Sequence, residues 1–337
     1  MATAWRRGAQ PSDWTAIEIA VAAPGPGRVT VAIEAAAIDP WTRTPRGRVG
    51  GVAAVGRVIA TGEAATEWQG ARVLVPSHAP CGECELCRRG GVVLCPDGEV
   101  VGVTGPGALA TVMTAPTRWL VRLETPLDIP GPAAAALGGE VAMAYALYTR
   151  LGVGPREPVV IWGDGALAAL TAAILVAKGA PPVVATDDDA LAAALPATAI
   201  RCAADPVAVD AALQAAGAGR RPRRIVVTDP ARLATALTLA GSRAIVAIAA
   251  HDGAAGAVDL AGALAAEITL AGVVGCHPDL LPELAALVVR GDLDLAATTE
   301  IVDVADLGPR IAARAARRDP RTLVASLAGW ASPSAPA

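Results

Sequence analysis

The 337-residue sequence predicts an α/β protein in two parts, a doubly wound parallel sheet and a mostly β domain that carries a metal-binding lobe. Three observations lead to this prediction. Short β-rich runs separated by Gly and Pro turns fill the chain up to about residue 125. Strands alternate with helices from about residue 158, and four cysteines cluster between residues 81 and 95. The length suits two domains, each able to bury its own core.

The first part contains runs typical of strands that pair mainly with their neighbours. They cover residues 27–38, 52–62, 71–76, 108–116 and 118–123. We expect a partly closed, mostly antiparallel β structure, from which the cysteine segment departs as an excursion. A helical pattern follows over residues 132–153.

The second part alternates apolar strands with Ala-rich helices, which is the pattern of a parallel sheet covered on both faces. The predicted strands are 158–163, 182–187, 223–229, 243–250 and 268–275, with a helix at 166–180 after the first of them. The remaining chain predicts a helix at 278–291, a short extended piece at 297–304 and a last helix at 307–318. The final residues, SPSAPA, are typical of disorder.

The composition indicates which classes of partner and which cellular location to expect. The net charge of -4 gives no electrostatic reason to expect nucleic acid or an anionic membrane surface as a partner. No run is long and apolar enough to span a bilayer, and the first residues, MATAWRRGAQPSDW, contain no apolar core of a secretory segment. We therefore expect a cytoplasmic protein with a small-molecule substrate, no nucleic-acid or membrane partner, and a homodimeric or homotetrameric assembly.

The cysteines form a C-x2-C-x2-C-x7-C motif at Cys81, Cys84, Cys87 and Cys95. Four thiolates this close together are what a closed, tetrahedral zinc site requires. Two disulfides or four unligated thiols are the alternatives, and a cytosolic setting disfavours the disulfides. Because four cysteines leave no open position for substrate, we predict one structural Zn²⁺ and place the catalysis elsewhere.

A glycine motif follows the first strand of the second part. The segment VVIWGDGALA gives G-x-G-x-x-A at Gly163, Gly165 and Ala168, between an apolar strand and an Ala-rich helix. Such a Rossmann turn lets the pyrophosphate of a dinucleotide approach the backbone and the helix N-terminus. Asp187 ends the next strand, where a carboxylate accepts hydrogen bonds from the adenosine ribose. The same carboxylate would repel a 2′-phosphate, so NAD(H) is favoured over NADP(H).

A four-cysteine lobe followed by this nucleotide unit resembles the zinc-containing alcohol dehydrogenases of the medium-chain dehydrogenase/reductase superfamily. The similarity extends to the Gly70-x-Arg72-Val73 turn and to the late segment LAGVVGCHPDL. It implies a GroES-like catalytic domain made of residues 1–150 and 288–337, with the zinc lobe at 81–95. It also implies an NAD-binding Rossmann domain at 151–287.

The chain departs from the family where the catalytic zinc is held. The positions of the three family ligands read Asp39, Val52 and Gly139 followed by Glu140, and Ala53 replaces the acidic neighbour of the second ligand. Valine cannot ligate a metal, and one or two carboxylates suit Mg²⁺ better than Zn²⁺. We therefore expect that the catalytic zinc is lost.

Without that zinc, the interconversion of a simple alcohol and its ketone loses the cation that polarises the oxygen. A hydride from NADH still adds to a substrate that is already electron-poor, such as an enone, enoyl thioester, quinone or iminium. The stretch Ile38-Asp39-Pro40 resembles the (V/I)-N-P stretch of the zinc-free quinone oxidoreductase branch. The leading hypothesis is an NADH-dependent oxidoreductase that reduces an activated double bond. The alternatives are an alcohol/carbonyl dehydrogenase using a protein acid, and a non-redox lyase, cyclase or binding protein.

Three residues on the catalytic side are candidate acids, and each has an ordinary interpretation beside it. Asp39 orients substrate or passes a proton, or it caps the turn before Pro40. Glu140 is a general acid or a helix-facing carboxylate. Tyr145 lies on the helix that lines the family's cleft, and a tyrosine at helical spacing also suits a core.

The three histidines and the one lysine also have either a functional or a structural interpretation. His251 ends a strand where the family approaches the nicotinamide ring, so a proton relay is a hypothesis there. His78 precedes the zinc lobe and is interpreted as structural, and His277 as a turn residue. Lys178 ends the first helix of the nucleotide unit, away from any hydride path.

An arginine-rich loop beside the former metal site is the remaining feature. Arg43, Arg46 and Arg48 in WTRTPRGR are able to grip a carboxylate or phosphate of the substrate, or they are solvated loop charge in an Arg-heavy chain. Trp41 beside them is a candidate lining of an aromatic-friendly pocket.

Overall fold

The computed structural model describes most of the chain. Its described residues are 1–10, 12–38, 44–123, 129–154, 156–180, 182–217, 221–249, 256–315, 319–327 and 330. Asp39, Trp41, Arg43 and His251 lie outside them, so the hypotheses made for these four side chains stay predictions. No helix in the described ranges is both long and apolar enough to cross a membrane.

The first part of the chain is mostly β, as predicted. Its strands are β1 (Ala2–Arg7), β2 (Trp14–Ile19), β3 (Arg28–Ala37), β4 (Ala53–Thr61), β5 (Arg72–Val75), β6 (His78–Ala79), β7 (Glu99–Val100), β8 (Val112–Pro116) and β9 (Val121–Arg122). The short helix α1 (Glu85–Arg88) lies in the cysteine lobe. The helices α2 (Gly131–Ala136) and α3 (Ala142–Leu151) follow, separated by a π-helical turn at Leu137–Val141.

The second part alternates strand and helix. It consists of β10 (Val159–Trp162), α4 (Gly165–Ala177), β11 (Pro182–Ala185), α5 (Asp189–Ala194), β12 (Ile200–Cys202), α6 (Pro206–Ala215), β13 (Arg224–Val227), α7 (Leu233–Leu239), β14 (Ile245–Ile248), α8 (Leu260–Ala265) and β15 (Thr269–Gly272). The chain then forms α9 (Leu281–Val289), β16 (Thr299–Asp303), α10 (Leu307–Ala315) and β17 (Thr322–Ser326).

Strands from both chain ends share one sheet. Its order is β16-β17-β3-β4-β5-β9, and β8 pairs with the first half of β3 while β17 pairs with its last residues. The pairing is antiparallel except between β16 and β17. A sheet completed by the C-terminal strands is what the predicted two-segment domain requires. The boundary after residue 150 stays a prediction, and it falls in the last turn of α3.

The six-stranded sheet is wholly parallel, with the order β12-β11-β10-β13-β14-β15. The chain first steps outward from β10 to β12 and then returns to place β13 on the other side of β10. This reversal confirms the predicted doubly wound fold, and it creates a crevice at the carboxyl ends of β10 and β13. All residues of β10 are buried because helices cover both faces of the sheet.

Small side chains let the two parts pack closely. Ala168, Ala169 and Ala172 on α4 are fully buried, in the same core as Leu147 of α3. That core continues through α2 to Val55 of the first sheet.

The sequence predicted one helix over residues 132–153, and the structure corrects this. Gly139, with φ of -107° and ψ of -117°, breaks the helix between α2 and α3.

Candidate functional site

The four cysteines of the lobe converge on one point. Their Sγ atoms all lie within 4.8 Å of one another. The Sγ atoms of Cys81 and Cys87 are 3.9 Å apart, and those of Cys84 and Cys95 are 3.8 Å apart. Zn–S bonds of about 2.3 Å in a tetrahedron place the sulfurs about 3.8 Å from one another, so the thiols fit zinc. Among the residues that the structure describes, no other cluster of three or more metal-ligating side chains occurs.

Backbone N–H groups prepare one of these thiols for ionisation. The amides of Glu83 and Cys84 donate to the Cys81 sulfur at 3.4 and 3.3 Å. These bonds lower the pKa of the Cys81 thiol to about 7. Desolvation, followed by the neighbouring thiols, raises the pKa of Cys87 to about 12. A bound cation would favour the ionised form of all four thiols.

The turn between β10 and α4 has the backbone conformation that its glycines predict. Gly163 has φ of +146°, and a Cβ there would lie 2.1 Å from Thr228 Oγ1, so no side chain fits. Gly165, with φ of +80°, begins α4, and among the described residues only the Asp319 carbonyl oxygen, at 4.0 Å, lies near its would-be Cβ. Space for a phosphate therefore adjoins the free N–H groups of α4. Ala168 is fully buried, which brings the helix close to the sheet.

The loop before β17 closes one side of this turn. Asp319, whose carbonyl approaches Gly165, is held by Arg321 through contacts of 3.1 and 3.0 Å to its two carboxylate oxygens. Arg321 also lies 3.3 Å from the Glu300 carboxylate. The segment before β17 of the first sheet therefore lies next to the turn that begins α4.

The three consecutive aspartates after β11, Asp187 to Asp189, make different contacts. Asp187 is exposed, and its Oδ1 accepts a 3.0 Å hydrogen bond from the amide of Ala204. Asp188 caps α5 by accepting from the amides of Ala190 and Leu191. Asp189 pairs with Arg201 at the surface. The ribose contact predicted for Asp187 stays a prediction.

A second carboxylate lies nearby, and sequence reasoning missed it. Asp164 occupies the variable position between the two glycines, and its Oδ1 accepts a 2.5 Å hydrogen bond from the Thr186 hydroxyl. That bond joins the phosphate turn to the end of β11. The sequence motif already contained this information, because Asp164 stands between two glycines that are expected to approach the phosphates.

Two of the positions that the resemblance assigns to zinc ligands, Val52 and Gly139, lie close to one another, and the third, Asp39, lies outside the described residues. A Cβ on Gly139 would lie 3.3 Å from Ala37 Cβ, and one on Gly138 would lie 2.8 Å from Ala53 Cβ. Val52 is buried beside them, with its amide donating to Ala37 at 2.9 Å. Ala37, Val52 and Ala53 form a small buried apolar cluster here, the apolar junction, and the carboxylate of Glu140 follows Gly139 in the chain.

Two of the predicted acids are buried in the helical layer. Glu140 follows the break at Gly139 and is 9% exposed. Tyr145 is 2% exposed, and its ring centroid lies 5.3 Å from Lys178 Nζ. Burial, together with a hydrogen bond to Glu283, raises the pKa of Tyr145 far above its ordinary value. Tyr145 is thus engaged in packing between α3, α4 and α9, and its catalytic role stays a prediction.

The surface arginines are separated from that layer. Arg46 is exposed, so its predicted substrate contact also stays a prediction. Arg48 is exposed and donates to the Thr104 carbonyl at 2.7 Å, which fixes the loop to the first domain.

A serine–histidine pair lies at the junction between the two parts of the molecule. The Ser77 amide donates to the Gly138 carbonyl at 3.2 Å, and Ser77 Oγ lies 3.0 Å from His78 Nδ1. The His78 ring packs on Gly275, where a Cβ would lie 2.6 Å from His78 Cε1. Both residues are half-buried. Sequence reasoning interpreted His78 as structural, because nothing local to it indicates contact with Gly275.

Comparisons with known proteins agree with this architecture. Residues 17–125 match the alcohol dehydrogenase GroES-like domain. An L-threonine 3-dehydrogenase of Xanthomonas euvesicatoria is 34% identical over 180 residues, which cover 48% of this chain and 51% of that protein. The chain thus spans about half the length of the curated relatives it matches.

Solved structures extend the likeness over the whole fold. A short chain alcohol dehydrogenase from E. coli CFT073, complexed with NADH, superposes with a TM-score of 0.84 at 18% identity. The match covers 96% of this chain and 99% of that one. A crotonyl-CoA carboxylase/reductase in complex with NADP gives 0.82 at 18% identity, covering 96% and 94%. Together with the parallel sheet, these comparisons show a GroES-like domain and the overall fold of the alcohol dehydrogenase structures.

Proposed function

We propose that this protein is an NADH-dependent oxidoreductase that reduces an electron-poor double bond without a catalytic metal. One observation carries the proposal. Val52 and Gly139, at two of the positions that the resemblance assigns to catalytic zinc ligands, lie in an apolar cluster with Ala37 and Ala53, and none of these four residues can ligate a cation. A substrate that carries its own electrophile does not need that metal, whereas an ordinary ketone does.

The dinucleotide is proposed from the fit of the crevice. Gly163 and Gly165 leave room for phosphate beside the N-terminus of α4, and Asp187 stands exposed at the end of β11. When bound there, NADH supplies a hydride with its two electrons. Asp187 then accepts hydrogen bonds from the ribose, and its charge disfavours a 2′-phosphate.

The apolar junction has a part in this reaction. Ala37 and Ala53 are fully buried, and their lack of polar atoms would keep water away from a carbon that reacts beside them. A polarised alkene therefore meets the hydride in a site of low dielectric constant. The proton that completes the reduction has to come from a side chain or from ordered water.

The zinc of the lobe is proposed to be structural. The sulfur distances suit one tetrahedral ion, and four thiolates leave no position for a substrate. The lobe is anchored where β6 pairs with β7 and where Trp119 Nε1 donates to the Pro80 carbonyl at 3.0 Å. Its metal therefore stabilises a segment that leads directly into the cleft at Ser77.

An alcohol/carbonyl dehydrogenase with a protein acid in place of zinc is the second candidate. The L-threonine 3-dehydrogenase relatives favour it by name, over the half of their length that the chain matches. The third candidate, a non-redox lyase, cyclase or binding protein on the same fold, predicts no use of NADH.

One experiment separates the three candidates. The protein is mixed with NADH and either cyclohex-2-en-1-one or cyclohexanone, and NADH absorbance is followed. Consumption with the enone alone supports the proposal. Consumption with the saturated ketone favours the dehydrogenase, and the absence of NADH binding by fluorescence favours the non-redox class.

A further inference from the structure

We propose that His78, supported by Ser77, donates the proton in the reduction, as the catalytic acid of this metal-free cleft. The inference rests on the proposed function and identifies the group that the apolar junction itself lacks. It is carried by contacts of this pair with both halves of the molecule.

Backbone hydrogen bonds of Ser77 fix the pair next to the apolar junction. Its amide donates to the carbonyl of Gly138, one residue before the break at Gly139, and its carbonyl accepts from the amide of Val101 at 2.9 Å. The backbone at Ser77 is therefore fixed on both sides, next to the apolar junction. A fixed backbone holds a side chain in the geometry that proton transfer needs.

Gly275 brings the pair into contact with the domain that contains the parallel sheet. The loop that contains Gly275 follows β15, and it leaves the sheet with the Val273 amide donating to the Ile248 carbonyl at 2.9 Å. A dinucleotide in a doubly wound fold lies across the carboxyl ends of the strands, with one half on each side of the switch point. With Asp187 marking the adenosine half, the reacting half lies above β13, β14 and β15, beside the loop on which His78 packs.

The chemistry of the pair suits the missing step. Hydride addition to the β-carbon of an enone breaks the carbon–carbon π bond and leaves an electron pair shared between the α-carbon and the carbonyl oxygen. An N–H bond of the protonated His78 ring then breaks, and its proton forms the new C–H bond at the α-carbon. The neutral ring keeps its Nδ1–H, which donates to Ser77 Oγ at 3.0 Å, and its other nitrogen, Nε2, regains a proton from water. Histidine exchanges protons near neutral pH, as this cycle requires.

The test uses the face from which the proton arrives. The wild-type protein is given NADH and 2-methylcyclohex-2-en-1-one, whose α-carbon becomes a stereocentre when it is protonated. We expect one enantiomer of 2-methylcyclohexanone in large excess by chiral gas chromatography. In His78→Gln the turnover should fall by about 10²-fold or more, the usual contribution of a general acid, and the product should approach a racemate. A residue with a merely structural role would not change which face receives the proton.

Two further variants probe the same step. His78→Gly opens a space for a small base, so added imidazole should restore part of the turnover. Gly275→Ala places a Cβ 2.6 Å from the ring position, and it should reduce turnover and enantiomeric excess by displacing His78. His277→Gln is the matched control, because that ring lies on a turn, where its Nδ1 accepts from the Asp279 amide at 3.2 Å. It should behave as the wild type.

The outcomes distinguish this inference from the function beneath it. NADH affinity and the unfolding temperature of His78→Gln should match the wild type, which excludes a folding defect. A variant that keeps both turnover and enantiomeric excess would overturn the role of His78 and leave the reductase intact. If the wild type consumes no NADH with the enone, the proposed function is wrong and the role of His78 falls with it.

Discussion

The Thr186 hydroxyl donates a 2.5 Å hydrogen bond to Asp164 Oδ1, joining the end of β11 to the phosphate turn after β10. The same hydroxyl accepts from the Asp188 amide at 3.0 Å, so the carboxylate belongs to a fixed chain of contacts. A negative charge is thereby held beside the place where pyrophosphate is expected.

Asp164→Asn should therefore strengthen dinucleotide binding. Asparagine still accepts from Thr186, but it removes the repulsion of the phosphates. We expect NADH to bind several-fold more tightly, and NADPH to gain more because it carries additional charge, on the order of 1 kcal/mol for each partly screened charge pair. Fluorescence titrations at low and high salt measure this effect. An unchanged or weaker affinity would show that Asp164 faces away from the phosphates.

Asp187 should determine the choice between the two cofactors. In Asp187→Asn the ribose loses a charge-assisted hydrogen bond, so NADH should bind about tenfold more weakly. NADPH should bind more tightly, because the carboxylate that repels its 2′-phosphate is gone. Asp189→Asn, at an exposed pair with Arg201, is the control and should leave both affinities unchanged. Equal effects of the two substitutions would contradict the assignment.

Cys87→Ala should unfold the lobe as well as lose its metal. Metal analysis of the wild type should return one zinc per chain, and the variant should return none with a lower unfolding temperature, because structural zinc contributes folding free energy directly. Cys202→Ala removes a half-buried thiol of β12 and should keep the full zinc content. Two zinc ions per wild-type chain would mean that a second site exists.

Glu283 should stabilise the fold in a pH-dependent way. Lys178, followed by Tyr145, lowers the pKa of Glu283, so its contribution is complete above the ordinary glutamate value of about 4.3 and is lost as pH falls through the lowered pKa. Glu283→Gln should cost about 1 kcal/mol at pH 7, allowing for the half-exposed carboxylate. The difference should vanish in acid, as measured by denaturant unfolding at several pH values. Glu267→Gln, at a fully surface pair with Arg243, should change nothing.

The edge of the parallel sheet should bind a second copy of the chain. β15 is the last strand, and Leu270 on it is 50% exposed, with Val274 just beyond at 41%. An exposed apolar edge strand favours pairing with another chain. Leu270→Arg should convert an oligomer to a monomer in light scattering, whereas Val207→Arg on α6 should not. A monomeric wild type would contradict this prediction.

The sequence alone predicted features whose causes are local. Gly163 and Gly165 are separated by one residue, and Cys81, Cys84 and Cys87 share one short loop. In both cases the chain geometry over a few residues determines where the side chains meet. The parallel strands were recognised for the same reason, since their burial on both faces leaves a continuous apolar run.

Features created by tertiary contact were not predictable in this way. The π-helical turn at Gly139 interrupts a periodicity that continues on both sides of it, so the pattern predicts one helix. His78 meets Gly275 only after the nucleotide-type domain has folded back on the first domain. β12 (Ile200–Cys202) was missed because three residues are too few to show a period.

The position of β17 also determines when the protein can finish folding. The parallel sheet uses one continuous stretch of chain, so it can pair completely while the ribosome is still making the last residues. The edge of β3 at Ala35–Ala37 must wait for Val324–Ser326, which are synthesised almost three hundred residues later. Until then this edge offers unpaired backbone to other nascent chains. Slower synthesis or a chaperone bound at this edge should therefore affect the yield of the first domain more than that of the second.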